Sequence, residues 1–163
     1  MKLLKRGLPK RRSLEGKTNY KNRLAYIKSG KPRLVIRISN KNVLIQFIEY
    51  SPDGDKIVCT TSSKALEKQY GWKYSRKNIS ASYLTGLLAG TIAIKKGIKS
   101  AITDVGLRTP DYGSKYFGAL KGVIEAGITV PHDKKIFPPS ERLEGTHLKN
   151  KIDVKSIKEK IIK

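Results

Sequence analysis

The sequence predicts a small α/β fold: a mixed sheet, made of an antiparallel meander plus a crossover strand, with helices packed on one face and basic extensions at both ends. Three observations point there. Three β-rich runs between residues 33 and 61 are separated by short turn signals. Apolar helical runs follow, with a fourth strand-like run between them. Basic residues crowd the two ends, and in residues 1–17 the few large aliphatics keep no burying period.

Residues 1–17 read as an irregular basic arm, broken by Gly7, Pro9 and Gly16. Thr18 or Asn19 is placed to cap a short helix in which Tyr20, Leu24 and Ile27 form an inward stripe at i, i+4, i+7, ended by Gly30 and Pro32. Arg33 to Ile38 alternates as a strand, with Leu34, Ile36 and Ile38 on one face and Arg33, Val35 and Arg37 on the other. Ser39 to Asn42 makes a turn, Val43 to Tyr50 a second strand, Pro52-Asp53-Gly54-Asp55 another turn, and Lys56 to Thr61 a third strand. Connections this short imply antiparallel pairing and leave the polar side of the meander open to a partner.

A short helix starts at Ser62 or Ser63 and stops near Gly71. Gly71 to Asn78 is an aromatic, polar loop. Ser80 to Lys96 is helical, with Leu84, Leu87, Leu88 and Ile92 on one face and Gly97 beyond its end. Ser100 to Val105 is the fourth strand. Ser114 is placed to cap a last main helix with Phe117, Leu120 and Ile124 inward and Gly127 closing it. After a Pro-rich loop, Val154, Ile157 and Ile161 have the spacing of one amphipathic helix within the basic tail. The organisation is therefore a basic arm (1–17), an α/β domain (18–148) and a basic C-terminal tail (149–163).

Charge narrows the function. The 163 residues carry 35 Lys or Arg against 13 Asp or Glu, a formal net charge of +22. Residues 1–42 hold fourteen cations and one acid, Glu15. Such self-repulsion calls for a polyanion, nucleic acid or an anionic membrane surface. The arm lacks the Leu/Phe/Trp stripe of a membrane-surface helix, so no membrane partner is expected. The uncharged stretch Ser80 to Ile94 is too short and too polar to span a bilayer. A charged start without an apolar signal run leads us to expect a cytoplasmic, reduced protein.

Catalytic and metal chemistry find little support. A single Cys and two His close no structural zinc site, and Cys59 reads as a core residue. His132 and His147 have no motif around them, and no phosphate-cradling glycine motif is present. No catalytic residue, metal site, cofactor or small-molecule substrate is expected. The rival reading is an RNA-processing hydrolase on a related sheet, with Asp104 and Asp53 as its only candidate acids.

What is present suits an RNA backbone. Arg33 and Arg37 share a strand face about 13 Å apart, at about 3.3 Å per residue; they either hold phosphates or snorkel as edge arginines. Tyr20, Trp72, Tyr74 and Tyr112 lie among basic residues, where they either stack on unpaired bases or pack on their own domain.

Longer runs carry a resemblance. Glu15-Gly16-Lys17-Thr18-Asn19-Tyr20, Ser29-Gly30-Lys31-Pro32-Arg33, Tyr70-Gly71-Trp72-Lys73, Ala81-Ser82-Tyr83-Leu84-Thr85-Gly86, Asp104-Val105-Gly106-Leu107, Gly113-Ser114-Lys115 and Val130-Pro131-His132 occur in order over about residues 11–148. Together they resemble the archaeal form of the universal 5S-rRNA-binding family of large-subunit ribosomal proteins, L-eighteen in words. The resemblance implies a non-catalytic structural constituent of the large ribosomal subunit. It would bind 5S rRNA and help attach it to the large-subunit (23S-type) rRNA in the central protuberance, beside a second 5S-binding ribosomal protein, L-five in words. By the same carry-over, the RNA-binding residues would be Arg11, Arg12, Lys17, Tyr20 and Arg23, with Lys10 from the same basic run; Arg33, Arg37, Ser39, Asn40 and Lys41; and Gly113, Ser114 and Lys115. The Lys-rich tail after Lys149 lies outside the resemblance, so its expected role rests on charge.

Overall fold

A computed structural model describes residues 9–146 and 153–162. Four strands form one mixed sheet in the order β3-β2-β1-β4: β1 (Arg33–Ile38), β2 (Val43–Glu49), β3 (Lys56–Ser62) and β4 (Ile102–Asp104). The first three pair antiparallel; β4 joins β1 in parallel, with Arg33 opposite Ile102 and Val35 opposite Asp104. This is the expected meander plus crossover strand. A register shift at Phe47/Ile48 bends the β2–β3 pair.

Among the described residues seven α-helices accompany the sheet: α1 (Arg11–Leu14), α2 (Tyr20–Lys28), α3 (Ser63–Tyr70), α4 (Ile79–Lys95), α5 (Lys115–Glu125), α6 (Ser140–Glu144) and α7 (Val154–Ile162). Asn19, Ser62 and Asn78 cap α2, α3 and α4 by accepting amide hydrogen bonds at their N-termini. α4 and α5 cover the face of the sheet that carries Leu34, Ile36, Val43, Ile45 and Phe47, all of them buried.

α4 is buried on nearly every side, not along one stripe. Every residue from Ser80 to Gly90 is buried, because a second apolar cluster lies behind the helix. There Leu66 of α3, Trp72, Leu143 of α6 and Val154, Ile157 and Ile161 of α7 pack on Leu84, Leu87 and Leu88. The C-terminal helix is thus where the spacing puts it, and its apolar edge completes this core.

Two apolar stripes differ from expectation. On α2 no residue is buried, and Leu24 is 53% exposed; periodicity marked an apolar side, but no core lies under it. On α5 the inward side is Tyr116, Ala119, Leu120 and Val123 with Gly118 and Gly122, while Phe117 and Ile124 are only half-buried. The cause is close helix contact. A Cβ on Gly86 would stand 2.0 Å from the Ala119 carbonyl oxygen, and one on Gly122 would stand 2.1 Å from that of Tyr83. The glycines let the α4 and α5 backbones touch, and this contact sets which side of α5 turns inward.

Candidate nucleic-acid interface

The site lies on the other side of the sheet, where α1, α2 and the turn before β3 meet β1 and β4. The strand register puts Arg33, Val35 and Arg37 on this side, together with Asp104 of β4. This side is not open as expected: Arg33, Val35 and Ile48 are all buried. The Arg33 guanidinium is held between two carboxylates, donating to Asp55 and, at 2.9 Å, to Asp104. Arg23 of α2 reaches the other oxygen of Asp55 at 2.9 Å, which ties α2 to the sheet. Asp104 also accepts the Gly106 amide at 2.9 Å. Tyr26 stands beside them, its hydroxyl pKa raised first by burial and then by the Asp104 charge.

This network corrects two expectations. Arg33 is a buried structural cation, not one of a matched pair of exposed phosphate ligands; Arg37, on the same face, is exposed. Asp104, the chief candidate acid of a hydrolase, is neutralised by Arg33 and ordered by its own loop. Among the described residues no group of His, Cys, Asp and Glu could hold a metal ion. His132 lies 2.7 Å from the Val130 carbonyl through Nδ1, with its ring against Phe137. His147 lies outside the described residues. Cys59 is buried, as expected, and burial raises its thiol pKa.

Around the network opens a cleft of about 210 Å3, rimmed by Arg12, Lys17, Arg23 and Arg37. Residues 9–17 are not wholly irregular: Arg11–Leu14 forms one helical turn, and Arg12 Nε donates to Thr18 Oγ1 at 3.0 Å. Glu15, the arm's only acid, is shared by Arg11 at 3.3 Å and Lys17 at 2.8 Å. On the outer side of α2, Lys10 lies over the Tyr20 ring at 4.5 Å, beside an exposed apolar surface that includes Leu24 and Tyr50. Arg11, Arg12, Lys17, Tyr20, Arg23 and Arg37 thus surround one corner of the molecule.

The other expected site residues lie elsewhere. Ser39 closes the β1–β2 turn by accepting the Asn42 amide and donating to its carbonyl, both at 2.9 Å. This turn presents Asn40 and Lys41 beside Lys73, Arg76 and Lys77, which sequence reasoning did not select. The basic run from Lys73 to Lys77 was the signal available for them. Trp72 is 2% exposed and donates to the Ser75 carbonyl, so it is a core residue rather than a stacking platform. Gly113, Ser114 and Lys115 begin α5 at a third location, where Arg108 and Arg142 also come together.

No described helix is long and apolar enough to cross a membrane. This is an α/β domain whose exposed cations gather at its edges and whose partly buried acids Asp55, Asp104 and Glu125 are each paired with a cation. The comparisons make this specific. The family model described as ribosomal large subunit proteins 60S L5 and 50S L18 matches residues 6–100, and the chain belongs to this family. The large ribosomal subunit protein uL18 of Aeropyrum pernix is 46% identical over 141 residues, covering 86% of this chain and 66% of that protein. The uL18 proteins of Korarchaeum cryptofilum and Caldivirga maquilingensis are 48% and 47% identical, covering 85% of this chain and 70% and 67% of theirs. The chain therefore spans about two thirds of the length of these relatives. The family is one of ribosomal proteins, not of enzymes.

Proposed function

We propose that the protein is a structural component of the large ribosomal subunit that binds 5S rRNA and helps attach it to the large-subunit rRNA in the central protuberance. The observation that carries this reading is the gathering of Arg12, Lys17, Arg23 and Arg37 on one cleft next to the basic arm. Arginine and lysine at a cleft neutralise successive phosphates and release their counterions. Arg23 and Arg33 are fixed by Asp55, so the cleft is preorganised before RNA arrives. The turn presenting Lys41 and the start of α5 lie away from this cleft and supply further contacts, which suits a protein that touches more than one RNA segment. A neighbouring 5S-binding protein, L-five, is the protein partner in this reading.

Nuclease footprinting of 5S rRNA with the protein bound tests it. A compact protected region is expected, weakened when Arg12, Arg23 and Arg37 are changed together. Equal affinity for 5S rRNA and an unrelated RNA of the same length, with no defined footprint, would refute it.

A further inference from the structure

Between the end of β1, the loop leading into α5 and α6 lies a cavity of about 450 Å3, within the roughly 300–1,000 Å3 range of small-ligand sites. Ile36, Ile38, Ile79 and Val105 make its wall apolar. Its rim carries three cations, Arg108, Lys115 and Arg142, against one acid, Asp111. Tyr112, also at the rim, is 79% exposed, so its ring is not used by the fold.

Two side chains lining this cavity carry a hydroxyl without a hydrogen-bond partner among the described residues. Ser114 stands at the N-cap position of α5, yet its side chain caps nothing, and its Oγ is buried without a hydrogen-bond partner. Tyr116 is 7% exposed, and its hydroxyl is buried and unpartnered too. Burial, and then the charge of Asp104, raises the Tyr116 pKa, so the group stays protonated and remains a donor without an acceptor. Groups buried this way normally find a partner. The first amides of this 11-residue helix lack intrahelical acceptors as well and favour an anion.

We propose that this cavity seats one unpaired nucleotide of ribosomal RNA, with the base against the apolar wall and Tyr112 and its phosphate at the start of α5 beside Lys115. A nucleotide meets all the requirements together. Its flat base fills apolar space and stacks on an aromatic ring, its edge atoms accept from buried hydroxyls, and its phosphate answers the cationic rim and free amides. An apolar side chain from a partner protein would fill the wall but leave both hydroxyls and the helix N-terminus unanswered. The inference rests on the RNA-binding reading above.

The test is ultraviolet crosslinking of the full chain to 5S rRNA and, separately, to large-subunit rRNA, mapped on both peptide and RNA. Binding is measured for the wild type, Tyr112→Ala and Tyr116→Phe. A crosslink from the segment 108–116 to a single unpaired nucleotide is expected, and the arm that gives it identifies the RNA. Tyr112→Ala should bind that RNA about tenfold more weakly. Tyr116→Phe should also weaken binding while leaving the melting temperature unchanged or higher, since it removes an unsatisfied hydroxyl. Wild-type affinity in both variants with no crosslink from this segment overturns the seat and leaves the cleft's RNA binding intact. So does a crosslink from it to a ribosomal protein in assembled subunits. Failure of the wild-type chain to bind either RNA overturns this inference together with the reading beneath it.

Discussion

Arg33 and Arg37 sit four residues apart on one strand face and do opposite work. Arg37 is exposed at the cleft, whereas Arg33 is buried between Asp55 and Asp104. Removing Arg33 leaves two partly buried carboxylates facing each other without their cation. Breaking such a pair costs roughly 3–5 kcal/mol when it is fully buried, and residual exposure of Asp55 and Asp104 sets the expectation for Arg33→Ala near the low end. Arg37→Ala should change stability by no more than about 0.5 kcal/mol while weakening RNA binding. Urea denaturation of the two variants checks the contrast; equal stability losses would refute it. Alternation along β1 did show that the two arginines share a face. It did not show which one is covered, because the covering acids lie 22 and 71 residues away in sequence. Glu125 gives a second test at this scale. Burial raises its pKa, but hydrogen bonds from Tyr83 and Lys158, aided by the charges of Lys158 and Lys121, outweigh burial and lower it below the ordinary glutamate value. A lowered folded-state pKa contributes stability above the unfolded value that is lost as pH falls through the folded one. Glu125→Gln should therefore flatten the loss of stability below about pH 4.5, as followed by thermal melts at successive pH values. An unchanged acid limb would show that Glu125 does not contribute to it.

Among the elements, α4 and α5 depend most on what their sequences lack. Gly86 and Gly122 lie where a Cβ would overlap backbone atoms of the partner helix. Backbone cannot give way as a flexible side chain does, so Gly86→Ala and Gly122→Ala should each cost at least the roughly 1–3 kcal/mol typical of overpacking. Gly97, whose added Cβ would meet nothing within 4 Å, has φ +85° and is the control for strain without overlap. Guanidinium melts of the three variants rank the effects. Wild-type stability in either helix variant would mean that α4 and α5 do not pack this closely. The same glycines explain the misplaced face of α5. Large apolar residues suggested Phe117, Leu120 and Ile124, while the closest approach occurs at Ala119 and Gly122, small residues with little or no hydropathy signal. For α2 the reason is different: a stripe indicates which side is apolar, not whether anything covers it. Strands, turns and the caps of α2 and α3 were legible because they depend on neighbours within a few residues, whereas Ser114 holds the N-cap position of α5 without capping it. The alternation of β1, the Asn19 and Ser62 caps and the spacing of Val154, Ile157 and Ile161 all belong to this class.

Over the whole molecule, charge and core are separated. The two apolar clusters draw on residues from Leu34 to Ile161, and none of the described residues before Tyr20 is buried. The basic C-terminal segment differs from the arm here: α7 contributes Val154, Ile157 and Ile161 to the second cluster, so charge is not its only property. The sequence showed where the cations lie along the chain. It did not show that those of the arm and α2 would meet Arg37 around one cleft, since that depends on the Arg23–Asp55–Arg33 ties. Among the described residues, the contacts that tie Pro9 to Lys17 to the domain, such as Arg12 to Thr18 and Lys10 over Tyr20, are exposed. Exposed contacts of this kind contribute little to stability. Residues 1–17 carry seven Lys or Arg and one acid, and each phosphate they neutralise steepens the dependence of affinity on salt by roughly 0.7–0.9 logarithmic units per contact. Deleting residues 1–17 should leave the melting temperature of the free protein nearly unchanged. The same deletion should weaken rRNA binding strongly at low salt and progressively less as salt rises, because the lost contribution is the one that salt screens. Melting well below the full chain would mean that the arm is part of the fold. Unaltered affinity at low salt would mean that the arm does not touch RNA. If instead the affinity loss is the same at every salt concentration, the arm works by shape rather than charge, and the electrostatic account of this corner of the molecule is wrong.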